Sequence, residues 1–207
     1  MYGICSYIKE NYNLSDYIFS GASAGAWNSL MMTCKKDITQ FKYEIIEDSL
    51  NNSKDIFNAE LILKQKLLHY YKTEDFDLDR LFIGVTILDG CKLKLTIYND
   101  FKSLEDAIDC CIASSHIPLI TGGIINKYNN YLTFDGGFFK NPYVDVIDKK
   151  IHISPSMWNI KKNKILKNIC EITTLFSKDL FNFNKLFDDG YNDAKNNKEY
   201  FDSIFNK

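Results

Sequence analysis

The sequence lacks the features that mark membrane-spanning and nucleic-acid-binding proteins. None of its apolar runs approaches the ~20 residues that a helix needs to cross a bilayer, and its formal net charge at pH 7 is −2. A nucleic-acid binder carries a basic patch or a strongly basic balance, which is missing here. The first residues contain no basic region followed by an apolar core, so no signal peptide is predicted. We therefore expect a cytoplasmic protein with no nucleic-acid partner.

Cysteine and histidine are too few and too scattered to predict a metal site or a disulfide framework. The 6 cysteines include no C-x-x-C pair, and there are only 3 histidines. Metal sites place His, Cys, Asp and Glu at characteristic short spacings, and none of these spacings occurs. In a chain of 207 residues, the cysteines are best explained as reduced, mostly buried thiols. We expect no metal and no cofactor.

A turn of small residues at 20–26, Ser-Gly-Ala-Ser-Ala-Gly-Ala, is the strongest candidate for a reactive site. It follows the apolar run Tyr17-Ile18-Phe19 and precedes a predicted helix, which is the strand, turn and helix arrangement of a G-x-S-x-G nucleophile elbow. Such a turn strains the serine backbone, and Gly21 and Gly25 remove the collisions that larger neighbours would cause. A serine hydroxyl needs a base to become a good nucleophile. Ser23 is therefore the candidate nucleophile, unless the turn is an ordinary strand-to-helix connection with an incidental serine.

A second candidate, Asp135, follows a predicted strand far downstream. Residues 131–134 alternate like a strand, and Gly136 and Gly137 come directly after the aspartate. A carboxylate at the end of a strand can face a site beside the end of another strand, and the two glycines keep the space around it open. The alternative is an ordinary Asp-Gly turn. Together with Ser23, Asp135 is the candidate base.

These two motifs resemble those of the patatin-like phospholipases and acylglycerol lipases, which place the serine in G-x-S-x-G and the aspartate in D-G-[GA]. The resemblance covers nearly the whole chain and is greatest to the animal triglyceride-lipase-like branch. Four more segments match in the order that the family has them: Tyr2-Gly3-Ile4-Cys5, Ala113-Ser114-Ser115-His116-Ile117-Pro118, Ile153-Ser154-Pro155 and Gly190-Tyr191-Asn192-Asp193-Ala194.

The resemblance implies a fold, an activity and two catalytic residues. The fold would be a three-layer α/β domain with a central, mostly parallel sheet and helices on both faces, and the alternation of strands and helices favours the same class. The activity would be hydrolysis of fatty-acyl esters of lipids by a Ser-Asp dyad, with Ser23 as nucleophile and Asp135 as proton acceptor. The substrate would be a lipid ester, and peripheral contact with a membrane or a lipid droplet is expected.

One departure from the family concerns its glycine-rich loop, which precedes the first helix and donates N–H groups to the oxyanion. This chain begins at Met1, within the first turn of that helix. We expect residues 1–207 to form a single patatin-like domain that is incomplete at its N terminus, with the oxyanion hole unassigned. Because losing oxyanion donors is severe for catalysis, a catalytically inactive lipid-binding or interaction protein is the alternative. A Ser-His-Asp esterase that uses His152 is a further one, since His152 follows Asp135.

The middle of the chain predicts a hairpin and a capped helix. Residues 81–88 and 92–98 flank an Asp-Gly turn, and the second run alternates cleanly, as in a β-hairpin. Ser-Leu-Glu-Asp at 103–106 resembles a capping box that opens a helix to about Ser114.

The rest of the chain predicts helices and one short strand. Residues 1–12 have a short helical face, and residues 37–71 repeat apolar residues at helical spacing with a break at 51–53. A short strand is predicted at 149–154. The tail is expected to form two helices divided near residues 188–190.

Overall fold

The structure is a computed structural model that describes residues 1–37, 39, 41–145, 150–154, 157–158 and 182–205. The α-helices in these residues are α1 (Tyr2–Asn11), α2 (Ala24–Thr33), α3 (Asp48–Asn51), α4 (Ile56–Tyr70), α5 (Leu104–Ser114), α6 (Phe183–Asn196) and α7 (Lys198–Phe205), and a π-helix spans Phe41–Glu47. The strands are β1 (Phe19–Gly21), β2 (Leu81–Asp89), β3 (Lys92–Tyr98), β4 (Lys127–Tyr128) and β5 (Tyr131–Phe134). The chain divides into two compact units, one formed by Met1–Asp16 with Val146–Lys207 and the other by Tyr17–Asp145.

The unit Tyr17–Asp145 is an α/β structure built on the long strand β2. Helices α2 and α5 contact β2, and α4 packs on α5. Strand β2 is apolar along most of its length and is buried from Leu81 to Ile87 apart from Phe82. A continuous apolar run of this kind is typical of a central strand. The α/β fold class is confirmed.

The sheet of this unit is mixed. Strand β1 pairs with β2 in parallel, whereas β3 and β5 pair with β2 in antiparallel and β4 pairs with β5 in antiparallel. The parallel part therefore lies at β1, the strand that leads into the serine turn. The aspartate strand β5 arrives from a hairpin whose turn residues, Asn129 and Asn130, both have positive φ (48° and 67°). Two residues of this kind form the tight turn that joins antiparallel strands.

Strands β1 and β5 lie on the same edge of β2 and end facing each other. Strand β3 occupies the opposite edge of β2 from Ile83 to Asp89. Strands β1 and β5 therefore both use the remaining edge. The last residue of β1 pairs with Ile83, and the last residue of β5 pairs with Thr86. Because β1 is parallel to β2 and β5 is antiparallel, their carboxyl ends approach each other across Gly84 and Val85. This meeting point brings the serine turn and the aspartate together.

The predicted hairpin and capped helix are confirmed. Strands β2 and β3 pair from Ile83 to Asp89, with Gly90 at φ +61° in the turn. The Ser103 side chain accepts a hydrogen bond from the N–H of Asp106 (3.1 Å) at the start of α5, which ends at Ser114 as expected. The helical stretch 37–71 forms the π-helix, α3 and α4, and its break lies after Asn51.

The other unit is held together by aromatic packing and a close contact between α1 and α6. A Cβ on Gly3 would lie 2.1 Å from the carbonyl oxygen of Phe187 and 2.7 Å from the nitrogen of Tyr191, so only glycine allows this approach. Gly190 faces Gly3 across the same contact. Several aromatic side chains of this unit pack on one another: Tyr2, Tyr7, Tyr12, Phe183, Phe187, Tyr191, Phe201 and Phe205.

Two expectations for the tail are wrong in the described residues. Helix α6 runs through residues 188–190 without a break, because Gly190 serves the close contact with α1 and does not end the helix. The division between the tail helices comes instead at Asn197. The strand predicted at 149–154 does not form across its described part, residues 150–154. The tail between residues 159 and 181 lies outside the described residues.

Candidate active site

The backbone of Ser23 adopts a conformation that L-residues rarely use. Its φ is +53° and its ψ is −128°. Ser23 occupies the N-cap position of α2, in the short turn that follows β1. A non-glycine residue at positive φ is strained and is often found at functional sites. The turn is tight, since a Cβ on Gly21 would lie 2.3 Å from the carbonyl oxygen of Gly25. The structure therefore confirms that a side chain at position 21 would collide with the turn, as the sequence predicted.

Ser114 links the strained serine to the central strand. The N–H of Ser23 donates to Ser114 Oγ (2.8 Å), and Ser114 Oγ donates to the carbonyl oxygen of Gly84 (2.7 Å). Ser114 is fully buried at the end of α5. One hydroxyl thus satisfies a donor on the turn and an acceptor on β2 at the point where β1 and β5 meet.

Asp135 is held from three sides beside Ser23. Its N–H donates to the carbonyl oxygen of His116 (2.7 Å), and its own carbonyl accepts from Thr86 Oγ1 (2.9 Å). Its carboxylate accepts from the N–H of Gly137 (2.7 Å), and the side chain of Ser23 lies near enough to lower its pKa. The structure therefore brings the two sequence-predicted side chains close together.

The glycine after Asp135 allows the aspartate segment to approach the serine turn. A Cβ on Gly136 would lie 2.3 Å from the carbonyl oxygen of Gly84 and 2.6 Å from the Cβ of Ala22. A Cβ on Gly137 would lie 2.9 Å from Asp135 Oδ1. Any side chain at position 136 would push the aspartate segment away from the serine turn. Glycine is therefore required here by packing.

Burial changes the acidity of Asp135. Asp135 is 8% exposed, and this desolvation raises its pKa, while the hydrogen bonds from Ser23 and Gly137 act in the opposite direction. A carboxylate with a raised pKa is a stronger base than a free aspartate. The raised pKa makes Asp135 better suited to accept a proton from a nearby hydroxyl.

Comparison with known proteins identifies the family of this structure. The family model for patatin-like phospholipases matches residues 16–147, more than half of the chain. This chain belongs to the patatin-like phospholipase family. The match coincides with the unit Tyr17–Asp145 and contains both motifs. No curated protein and no solved structure matches.

The histidines of the chain differ in their surroundings. His116 is buried in the patatin-like unit, where its carbonyl binds the N–H of Asp135 and desolvation lowers the pKa of its ring. His69 is exposed near the end of α4. His152, the histidine considered for a triad, is exposed and belongs to the other unit.

Sequence reasoning missed Glu60, a buried carboxyl in α4. Glu60 is 8% exposed and interacts electrostatically with Asp135. The indole N–H of Trp27, on the first turn of α2, donates to Ser115 Oγ (3.0 Å) and also interacts with the Glu60 carboxyl. A lone glutamate in an amphipathic helical pattern carries no sequence signal of this kind. The burial of Glu60 is visible only in the folded structure.

Apolar side chains are exposed on the segments that adjoin Asp135. Leu119 is 78% exposed and has φ +68°, in the loop that follows His116, the residue bonded to Asp135. Phe138 lies three positions beyond Asp135. Exposed apolar clusters often mark interaction surfaces. The exposed large apolar residues of these two segments are Leu119, Ile124, Ile125 and Phe138.

In the part of the chain that the structure describes, no group of three His, Cys, Asp or Glu side chains is placed to hold a metal ion. No described helix is both long and apolar enough to cross a membrane. Five cysteines are described, and none of them is in a disulfide: Cys5, Cys34, Cys91, Cys110 and Cys111. Cys170 lies outside the described residues.

Proposed function

We propose that this protein is a lipid acyl hydrolase that cleaves fatty-acyl esters with a Ser23–Asp135 dyad. The observation that carries the proposal is that β1 and β5 end against each other and place a buried aspartate near a serine with strained backbone. The family to which the chain belongs supports the reaction class. The residue roles follow from the chemistry of the two groups.

In the first half of the reaction, Ser23 Oγ attacks the ester carbonyl while Asp135 accepts its proton. The tetrahedral intermediate collapses, the alcohol leaves with the proton from Asp135, and the acyl group stays on Ser23. In the second half, Asp135 removes a proton from water, which attacks the acyl-enzyme. The second tetrahedral intermediate collapses, the fatty acid leaves, and Asp135 returns the proton to Ser23 Oγ. Burial of Asp135 supports this cycle, because it makes the carboxylate a stronger base.

The first turn of α2 supplies an amide for the negative charge of the intermediate. The N–H groups of Ser23, Gly25 and Ala26 already donate to Ser114 Oγ and to the carbonyls of Ala22 and Ser23. The N–H of Ala24 has no acceptor within the described residues, and Ala24 is exposed. The amide after the nucleophile is the usual position of an oxyanion donor in such turns, and the positive end of the helix dipole lies there too.

The exposed apolar residues support a lipid as the substrate. Leu119, Ile124, Ile125 and Phe138 flank the aspartate segment and expose between 62% and 78% of their surface. A lipase must reach substrate that is aggregated in a membrane or droplet, and apolar side chains beside the site favour that contact. We propose peripheral contact with a lipid surface through these residues, and a phospholipid or an acylglycerol as the ester.

The free thiols support a reducing compartment such as the cytoplasm. Cys110 and Cys111 are adjacent, fully buried and unpaired. Desolvation raises the pKa of both thiols, which keeps them protonated and unreactive. Such cysteines are ordinary in proteins kept under reducing conditions.

Labelling with a fluorophosphonate tests the proposal. The probe phosphonylates an activated serine and mimics the tetrahedral intermediate, so its adduct reports both nucleophile and oxyanion stabilisation. We expect a single adduct on Ser23, mapped by mass spectrometry, that Ser23→Ala lacks and that Asp135→Asn slows by about 10²-fold or more. His152→Ala should label at the wild-type rate.

The outcomes separate the alternatives. An adduct that depends on His152 would replace the dyad with a Ser-His-Asp triad. No adduct on Ser23, together with retention of lipid vesicles without release of fatty acid, would identify an inactive lipid-binding protein.

A further inference from the structure

The chain that follows Asp135 returns to the strand that carries the candidate nucleophile. We call residues 136–144 the bridging segment. At its far end, the N–H of Val144 donates to Ser20 Oγ (3.0 Å). Ser20 lies in β1, directly before the turn that holds Ser23. A hydroxyl on the serine strand therefore holds the segment that begins at the candidate base.

The near end of the bridging segment is fixed to Asp135 itself. A 3-10 turn, Gly136–Phe138, follows the aspartate and is capped by its carboxylate, which accepts from the N–H of Gly137 (2.7 Å). The main chain of Asp135 is bonded to the carbonyl of His116 (2.7 Å) and to Thr86 Oγ1 (2.9 Å). The carboxylate is thus part of the turn, and a shift of the turn would change its position.

Between these two ends, the bridging segment passes along the edge of β2 that lies between β1 and β5. Strand β1 pairs with β2 as far as Ile83, and the pairing with β5 begins at Thr86, so Gly84 lies in the gap. A Cβ on Gly84 would lie 2.0 Å from the carbonyl oxygen of Pro142 and 3.3 Å from the Cβ of that proline. The main chain at Pro142 therefore fills the gap and leads the segment across to β1.

We propose that Ser20 is a positioning residue, whose hydroxyl ties the bridging segment to the serine strand and thereby sets the distance between Asp135 and Ser23. Ser20 and Ser23 belong to one strand and the turn that follows it, so a bond to Ser20 fixes the segment relative to the nucleophile. Catalytic groups need such support from the residues around them to stay within about 0.5 Å of a productive geometry. The role in catalysis rests on the proposed function, whereas the tie does not.

A matched pair of substitutions isolates the hydroxyl of Ser20. Ser20→Thr keeps the acceptor, whereas Ser20→Val has the shape of threonine without it, and both β-branched residues suit a strand. Misplacement of a catalytic group by about 1 Å can lower a rate by about 10²-fold. We expect Ser20→Val to be labelled by a fluorophosphonate at least about tenfold more slowly than Ser20→Thr. Ser20→Thr retains the hydrogen bond and should stay within about threefold of the wild type.

Two further variants separate positioning from a general loss of stability. Ser103→Ala removes the side-chain acceptor at the start of α5 (3.1 Å to the N–H of Asp106) and should be labelled at the wild-type rate. The other is Ser20→Val in an Asp135→Asn background. Because Ser20 acts through the aspartate, Ser20→Val should slow labelling by less than about twofold there, so the two effects are not additive.

Hydrogen exchange tests the tie without reference to catalysis. The N–H of Val144 should exchange about fivefold faster in Ser20→Val than in Ser20→Thr, because the net contribution of one hydrogen bond corresponds to about that factor. The measurement is amide exchange followed by NMR, with the amides of β2 as the internal reference.

The outcomes keep the two proposals apart. Faster exchange at Val144 together with slower labelling in Ser20→Val supports the positioning role. Equal exchange in the two variants would overturn the tie. Equal labelling in the two variants, or a loss of labelling that persists in the Asp135→Asn background, would overturn the positioning role. If no protein is labelled, wild type included, the hydrolase proposal fails and the positioning role with it, while exchange at Val144 still decides whether the tie exists.

Discussion

Ser114→Ala tests whether a buried hydroxyl holds the candidate nucleophile in its strained conformation. Ser114 Oγ accepts from the N–H of Ser23 (2.8 Å) and donates to the carbonyl of Gly84 (2.7 Å), and the side chain is fully buried. Alanine fits the space but leaves both main-chain groups without a partner. Each unsatisfied buried group costs about 1–3 kcal/mol, so the substitution should lower the free energy of unfolding by about 3 kcal/mol.

Loss of the Ser114 hydroxyl should also slow the reaction at Ser23. A positive φ at a non-glycine residue costs about 1–3 kcal/mol and persists only when the surroundings hold it. Without its hydrogen bond to Ser114, the turn can relax and move the hydroxyl of Ser23 away from Asp135. Misplacement by about 1 Å can lower a rate by about 10²-fold. We expect Ser114→Ala to label at least about tenfold more slowly than wild type.

Ser115→Ala is the matched control, measured by denaturant unfolding and by the labelling rate. Ser115 is also buried, but its hydroxyl accepts from the Trp27 indole and donates to the carbonyl of Cys111 in its own helix. Its loss should cost about 1 kcal/mol and leave labelling within about threefold. Equal labelling of Ser114→Ala and wild type in folded protein would refute the reasoning, and so would an equal loss in both variants.

Three further substitutions test packing and burial. Gly3→Ala should destabilise the α1–α6 contact by about 3 kcal/mol, because its Cβ would lie 2.1 Å from the carbonyl oxygen of Phe187. Gly190→Ala, whose Cβ would meet only ordinary contacts from 3.6 Å, should change stability by less than about 1 kcal/mol; equal effects in urea unfolding would contradict this. Glu60 keeps its proton in the fold up to about pH 8 but loses it near 4.5 when unfolded, so wild-type stability falls as pH rises through that window. Glu60→Gln should therefore gain about 3 kcal/mol over wild type at pH 7 and nothing at pH 4, and a pH-independent difference would refute the burial argument.

Local patterns predicted much of this structure correctly. The turn around Ser23, the hairpin of β2 and β3, and the capped start of α5 each depend on residues within a few positions of one another. Glycine at position 21 and Ser103 before α5 act through contacts with near neighbours. Such short-range requirements are visible in the order of residues alone. The break before α4 belongs to the same class.

Gly190 was misread for a physical reason. A glycine inside a polar stretch usually indicates the end of a helix, and here it lies within α6. Its role is to let α1 come close, with the backbone of Gly3 on the other side. A single sequence does not distinguish a glycine that ends a helix from a glycine that lets a second helix pack closely. The difference depends on which distant segment packs against the glycine.

The amino-acid sequence alone was sufficient to point to Ser23 and Asp135 and to the α/β class, because steric demands of the serine turn and strand periodicity are local. Tertiary structure decided that β1 and β5 end against each other on one edge of β2, that Ser114 bridges the turn to Gly84, and that Glu60 is buried on α4. Strand pairing and burial depend on which distant segments come together. The free energy of that assembly is shared among many weak contacts, and no single stretch of sequence carries it.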